Sequence, residues 1–139
     1  MTHPDPLQAI RTDGYVVLQN AIDGDLLDRI RTDLDPWLQG RLMGRNDFEG
    51  YKTERVYGLL AKSMAIAELV EHPDILALTD ALLPRDYLLS AALAINLHPG
   101  ETAQNFHIDD SGNAFPIPLP RDMLGVSTIW AIDDFTAEN

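Results

Sequence analysis

The hydrophobic pattern of this chain changes its period at Pro84, and this change most constrains the fold. Before Pro84, apolar residues recur at the spacing of amphipathic helices. After it, the segment 87–97 alternates, with leucine and isoleucine on one face and smaller, increasingly polar residues on the other, which favours a strand that lines a cavity. Pro99-Gly100 then predicts a turn. Helices first and strands later predict an α+β fold whose helices buttress a sheet.

Three helices are predicted before Pro84. Asp23 is typical of an N-cap for the first, which carries leucine and isoleucine on one face and should end or kink at Asp35-Pro36. The second covers 59–71, and the third begins at His72-Pro73. The polar segment 39–57 is expected to be loop with a short strand. Two more strands are predicted at 15–18 and 124–132, and a proline-rich loop at 111–120.

The segment Gln104-Asn105-Phe106-His107-Ile108-Asp109-Asp110 follows the predicted turn. In an extended segment His107 and Asp109 lie on the same face, because side chains alternate with a period of two. They would supply two of the three ligands of a 2-His-1-carboxylate site, which holds Fe(II) and leaves positions open. The spacing alone is weak, since 4 histidines and 22 acidic residues make such pairs common by chance. A hydrogen-bonded surface histidine is the alternative.

Composition excludes several other functions. A net charge of -12 with scattered basic residues argues against a nucleic-acid surface. The absence of cysteine excludes disulfides, thiolate metal sites and a cysteine nucleophile. The first residues lack the basic and apolar parts of a signal peptide, and no apolar run is long enough to cross a bilayer. We therefore expect a soluble, cytoplasmic protein with no membrane or nucleic-acid partner.

The segment 97–110, LHPGETAQNFHIDD, resembles the first metal-ligand segment of the phytanoyl-CoA dioxygenase family. The opening Asp13-Gly14-Tyr15-Val16-Val17 with its following helix, the tandem helices around His72-Pro73 and the tail 130–139 also resemble that family, in the same order. The resemblance covers nearly the whole chain. It implies an Fe(II)- and 2-oxoglutarate-dependent dioxygenase that hydroxylates a small organic substrate, built on a double-stranded β-helix, a jelly-roll or cupin-like barrel.

The resemblance also assigns roles along a single domain. Residues 1–84 would be mostly helical support, and residues 85–139 the first barrel strands. His107 and Asp109 would be metal ligands, with no catalytic residue beyond them. Gln104 and Asn105 would contact the 2-oxoglutarate co-substrate or shape the turn, and Trp130 would contact it or belong to the core.

This chain departs from the family in one respect. The family's second histidine ligand and the arginine that pairs with 2-oxoglutarate lie further along than Asn139, and His3, His72 and His98 are not in matching places. The expectation is an N-terminal portion truncated at the C-terminus, inactive alone and only marginally stable. Two alternatives remain open: a non-catalytic binding or scaffold module with a degenerate metal site, and a different metal at the same ligands. For His98 a structural role is favoured over metal binding.

Overall fold

Four α-helices and a two-stranded antiparallel sheet form the part of the chain that the structure, a computed structural model, describes: residues 5–109, 118 and 121–137. The elements, in chain order, are α1 (Pro6–Asp13), α2 (Gly24–Leu34), β1 (Thr53–Tyr57), α3 (Ala65–Val70), α4 (Pro73–Leu82) and β2 (Leu93–Leu97). Short 3-10 turns follow α2 at Asp35–Trp37 and precede α3 at Leu59–Ala61. An α+β fold is therefore confirmed.

Capping residues fix where the first two helices begin. The Asp23 carboxylate accepts a hydrogen bond from the Leu26 N–H at 2.8 Å, which confirms the predicted N-cap of α2. Helix α1 was not predicted, although its signals are present in the sequence. Asp5 caps it, Pro6 occupies its first turn, and Gly14 closes it at a φ of 84°, where glycine is favoured.

The predicted helix over 59–71 is wrong in extent, because Ser63 interrupts it. The Ser63 hydroxyl donates to the Asp33 carboxylate at 2.6 Å and accepts from the Ala65 N–H at 3.1 Å, so that α3 starts afresh after the 3-10 turn. Helix α4 begins at Pro73, with His72 as its N-cap, as predicted. The His72 imidazole accepts from the Asp74 N–H at 3.3 Å, and its other nitrogen lies 2.8 Å from the Ala21 carbonyl oxygen.

The hydrophobic core lies between α2, α3 and β1. Its most buried members are Ile30 and Val56, each 0% exposed. Around them pack other buried side chains, namely Leu26, Leu34, Leu59, Ala65, Ile66 and Leu69. At the edge of this core, Arg29 of α2 pairs with Glu68 of α3 through hydrogen bonds of 2.6 and 2.9 Å. The helical support predicted for the N-terminal part is thus a packed unit to which the sheet is joined.

Strand β2 is shorter than the strand predicted over 87–97. Its bulky face is exposed and its small face points toward the core, the reverse of the expected arrangement. It pairs with β1 so that Thr53 opposes Leu97 and Arg55 opposes Ile95. Two residues of the small, polar face make inward contacts: Ala94 lies against the core, and Asn96 hydrogen-bonds to the buried Glu54 carboxylate. The bulkier face is open, with Ile95 49% exposed. The expectation that the small face lines a cavity is therefore wrong for Ala94 and Asn96, whereas Ser90 and Ala92, just before β2, do line a cavity beside Leu59.

The strands predicted at 15–18 and 124–132 are wrong for the described residues. A strand needs a hydrogen-bonded neighbour, and the sheet described in 5–109, 118 and 121–137 contains only β1 and β2. The second segment is held differently: Trp130 and Ile132 pack on the core, and Arg31 donates to the Ile132 carbonyl at 2.7 Å. The proline-rich loop over 111–120 lies outside the described residues except for Pro118. The predicted double-stranded β-helix stays a prediction.

None of the helices in the described ranges has the length and apolar character that crossing a membrane requires.

Candidate metal site

The predicted ligands His107 and Asp109 lie side by side. The His107 Nε2 atom is 3.3 Å from the Asp109 Oδ1 atom, and the side chains are 37% and 71% exposed. They follow β2 through the turn at Pro99-Gly100, where Gly100 takes a φ of 82°. The period-two spacing thus brings an imidazole nitrogen and a carboxylate oxygen within reach of one ion. Neither side chain is buried, so the pair is open to an incoming metal.

The hydrogen bond on the other side of the His107 ring assigns roles to its two nitrogens. The Nδ1 atom lies 2.9 Å from the Asn105 carbonyl oxygen, which can only accept, so Nδ1 carries a proton. In a neutral imidazole, Nε2 then presents a lone pair toward the Asp109 carboxylate. Two acceptors at 3.3 Å repel each other unless a cation lies between them. A proton on Nε2 would give an ion pair, and a divalent metal would give a chelate; the donor pair fits both.

A third ligand does not join the pair within the described residues. Across 5–109, 118 and 121–137, no group of three or more histidine, cysteine, aspartate or glutamate side chains could hold one metal ion. His98 and His72 are engaged elsewhere: His98 lies against a buried glutamate, and His72 caps α4. The structural role favoured for His98 therefore agrees with its position.

The predicted co-substrate residues lie in two separate places. The Gln104 side-chain amide donates to the Phe48 carbonyl, and Asn105 offers its own carbonyl to His107. Trp130 packs against the core with its ring centroid 5.4 Å from that of His72. These contacts match the alternatives of turn shaping for Gln104 and core packing for Trp130. The co-substrate roles of Gln104, Asn105 and Trp130 stay predictions.

A loop from the predicted polar segment 39–57 contacts His107. We call residues 44–52 the platform loop. The Phe48 ring meets the His107 imidazole edge to face, with centroids 4.8 Å apart and planes at 73°. The sequence carried no signal for this contact, because Phe48 and His107 are 59 residues apart in the chain and single exposed aromatic residues are common on protein surfaces.

A buried carboxylate holds the strand end from which the ligand segment departs. Glu54 is 0% exposed, and its carboxylate accepts from Asn96 at 3.1 Å, lies 2.9 Å from His98 Nε2, and accepts from the Gly40 N–H. Burial raises the pKa of Glu54, but the hydrogen bonds from His98, Asn96 and Gly40 outweigh it, so the pKa is lowered. The sequence carried a signal for this site: Glu54 shares a strand face with the core residue Val56.

A second carboxylate fastens the turn from the outside. Glu101 accepts from the Lys52 N–H at 2.6 Å, the Thr53 hydroxyl at 2.9 Å and the Thr102 N–H at 2.8 Å. The Thr102 N–H is the largest cause of a lowered Glu101 pKa, and the Lys52 and Thr53 hydrogen bonds act in the same direction, against partial burial. Glu54 and Glu101 thus fasten the two ends of the turn at residues 98–101 to β1.

Comparison with known proteins adds an independent observation. The chain is 30% identical over 148 residues to dioxygenase olcK of Penicillium canescens, which covers 97% of this chain and 49% of that protein. It is 27% identical over 143 residues to dioxygenase trt7 of Aspergillus terreus, covering 95% and 50% respectively. Dioxygenase FrzG of Cladobotryum sp is 28% identical over 154 residues, again covering 95% and 50%. All three carry the name dioxygenase.

These similarities support a dioxygenase family for this chain. The chain spans about half the length of the curated relatives that it matches. No protein-family model and no solved structure matches it.

Proposed function

We propose that this chain carries two of the three iron ligands of an Fe(II)- and 2-oxoglutarate-dependent dioxygenase that hydroxylates a small organic substrate and is related to the phytanoyl-CoA dioxygenases. The observation that carries the proposal is the pairing of His107 Nε2 with Asp109 Oδ1 at 3.3 Å, with Nδ1 held by a backbone carbonyl. The similarity to proteins named dioxygenases supports the same chemistry.

The residues of this chain would act mainly through orientation. His107 Nε2 and Asp109 Oδ1 would hold Fe(II), and the Asn105 carbonyl would keep the imidazole in the ligating tautomer. When bound, Fe(II) would allow O2 to react with both partners: one oxygen atom would oxidise 2-oxoglutarate to succinate and CO2, and the other would hydroxylate a substrate C–H bond. Gln104, Asn105 and Trp130 are proposed to contact the co-substrate. The remaining metal ligand and the group that pairs with 2-oxoglutarate would come from residues outside those described.

The test uses the protein as its gene encodes it. With Fe(II) and a panel of small organic substrates, 2-oxoglutarate should be consumed and succinate formed in equal amounts. His107→Ala and Asp109→Ala should abolish both, whereas Asp25→Ala, at an exposed carboxylate in the first turn of α2, should leave them unchanged. Full succinate production by either ligand variant would refute the assignment.

Metal binding separates this proposal from the scaffold alternative. Co(II) is a spectroscopic substitute for Fe(II), and its binding requires no turnover. Loss of Co(II) binding in both ligand variants, together with 2-oxoglutarate turnover in the wild type, supports the enzyme. Co(II) binding without turnover for any substrate would indicate a module with a degenerate site.

A further inference from the structure

We propose that the platform loop, residues 44–52, is a positioning element that sets the orientation of the His107 imidazole through Phe48 and Gln104. This inference rests on the proposed function, because it concerns the same metal ligand. It assigns no chemistry to the loop itself: Phe48 acts through the His107 ring that it contacts, and Gln104 acts by holding the backbone of Phe48.

The platform loop is braced by its own hydrogen bonds. The Gly44 N–H donates to the Thr53 carbonyl at 2.8 Å, and the Gly50 N–H donates to the Asn46 carbonyl at 2.9 Å. The Asn46 side chain accepts from the Glu49 N–H at 2.8 Å. Arg55 of β1 donates through Nε to the Glu49 carbonyl at 2.8 Å. A loop closed by these contacts can hold an aromatic ring in one place.

The same loop is joined to the turn that precedes the ligand segment. The His98 N–H donates to the Lys52 carbonyl at 2.9 Å, and Glu101 accepts from the Lys52 N–H at 2.6 Å. Gly50 takes a φ of +85°, and a Cβ there would lie 2.5 Å from the Glu101 carboxylate. Glycine is therefore required for this close approach. The turn and the platform loop are thus joined by two hydrogen bonds at Lys52 and by the close approach of Gly50 to Glu101.

Two contacts join the platform loop to the segment that contains His107 and Asp109. The Gln104 amide donates to the Phe48 carbonyl, and the Phe48 ring abuts the His107 imidazole at 4.8 Å. With Nδ1 bound to the Asn105 carbonyl, these contacts limit rotation of the imidazole about its side-chain bonds. Nε2 consequently stays directed at Asp109, in the arrangement that a shared ion needs.

The proposal is tested at Phe48, with a matched control in the same loop. Phe48→Ala removes the ring, Phe48→Tyr keeps it, and Tyr51→Ala removes an aromatic ring that is 61% exposed. In the protein as its gene encodes it, Phe48→Ala should weaken Co(II) binding about tenfold, the low end of the loss seen when a residue supporting a metal ligand is removed. Phe48→Tyr should restore the affinity, and Tyr51→Ala should retain it.

A metal-free measurement gives an independent readout. The Phe48 ring should shift the His107 ring-proton resonances in NMR, and Phe48→Ala should remove that shift while the backbone amide spectrum outside residues 44–52 and 98–109 is preserved. Phe48→Tyr should keep the shift, which a general loss of folding would not do.

Two outcomes overturn the proposal in different ways. If Phe48→Ala retains both Co(II) affinity and the His107 shifts while His107→Ala abolishes binding, the platform does not position the ligand, and the metal site stands. If His107→Ala binds Co(II) as tightly as the wild type, the metal site fails, and the platform proposal fails with it.

Discussion

The helical support and the ligand segment, two regions of one short chain, are held by different forces. In the support, Ile30 and Val56 are fully buried, and their neighbours on α2, α3 and β1 close around them. In the segment 102–109, Phe106 and Ile108 are exposed, and the contacts that fix its course are polar or edge-on. Burial of apolar surface thus stabilises the first region, whereas hydrogen bonds and one ring contact orient the second.

Stability and metal binding should therefore respond to different substitutions. A residue of the support changes the fraction of folded protein, because its burial counts toward the free energy of unfolding. A residue of the ligand segment changes the geometry offered to an ion, with little effect on folding. Glu54 and Glu101 lie where the two regions meet, so their removal should change both the free energy of unfolding and the affinity for a metal ion.

The largest effect is expected at the ligands themselves. His107→Ala and Asp109→Ala should reduce 2-oxoglutarate turnover to the background rate while changing the free energy of unfolding by no more than about 1 kcal/mol, because both side chains lie outside the core and His107 loses one ring contact and one hydrogen bond. Turnover assays and urea melts on the same preparations check this. A large loss of stability in either variant would contradict this expectation, because it would show that the segment 102–109 contributes substantially to the free energy of unfolding.

The converse substitution lies in the core. Ile30→Ala should destabilise the protein by about 2–5 kcal/mol, since it removes buried methylene groups and leaves a cavity. Co(II) affinity per folded molecule should be unchanged. Leu60→Ala, at a leucine that is 43% exposed, is the matched control and should cost much less. Urea melts monitored by circular dichroism measure both. Weakened metal binding in folded Ile30→Ala would show that the core transmits strain to the site.

The next effect is expected at Glu54, which lies at the boundary between the two regions. Glu54→Gln should cost about 1–3 kcal/mol at neutral pH, because a buried hydrogen-bonded acceptor loses its charge. Since the pKa of Glu54 is lowered in the fold, its stabilisation is present above the ordinary value of 4.5 and is lost as the pH falls toward the folded value.

Urea melts should therefore separate wild type from Glu54→Gln at neutral pH, and the gap should narrow as the pH falls below 4.5 and through the folded pKa of Glu54. Glu71→Gln, at an exposed glutamate, should run parallel to the wild type at both pH values. A gap between wild type and Glu54→Gln that persists in acid would contradict the charged role of Glu54.

The smallest effect is expected in the platform loop, at the exposed Arg45 side chain that pairs with the partly buried Glu49. The side-chain hydrogen bonds from Arg45 lower the pKa of Glu49 from 4.5 to about 2, with the Arg45 backbone N–H contributing. Arg45→Ala should raise this pKa toward 4.5 without reaching it, because the backbone N–H still donates. A carbon-13 NMR titration of the carboxyl group measures the value. An unchanged pKa would show that the guanidinium does not contact Glu49.

Local chemistry in the sequence was enough for the helix boundaries that depend on caps. Asp23 and His72-Pro73 mark the starts of α2 and α4 because their partners lie within three residues along the chain. The pairing of His107 with Asp109 was equally readable, since a period of two is a property of extended backbone. The same local rules would have found α1 from Asp5-Pro6 and Gly14.

What only the tertiary structure decided is which groups meet across long separations. Glu54 is buried because Asn96 and His98, more than forty residues away, supply donors that compensate its charge. Phe48 reaches His107 because Glu101 fastens the turn to the platform loop. The strand predicted at 124–132 failed for the same reason: alternation shows which residues share a face, but a strand exists only where a partner backbone is present. Spacing along the sequence thus determined the pairing of His107 with Asp109, and packing determined which residues hold that pair in place.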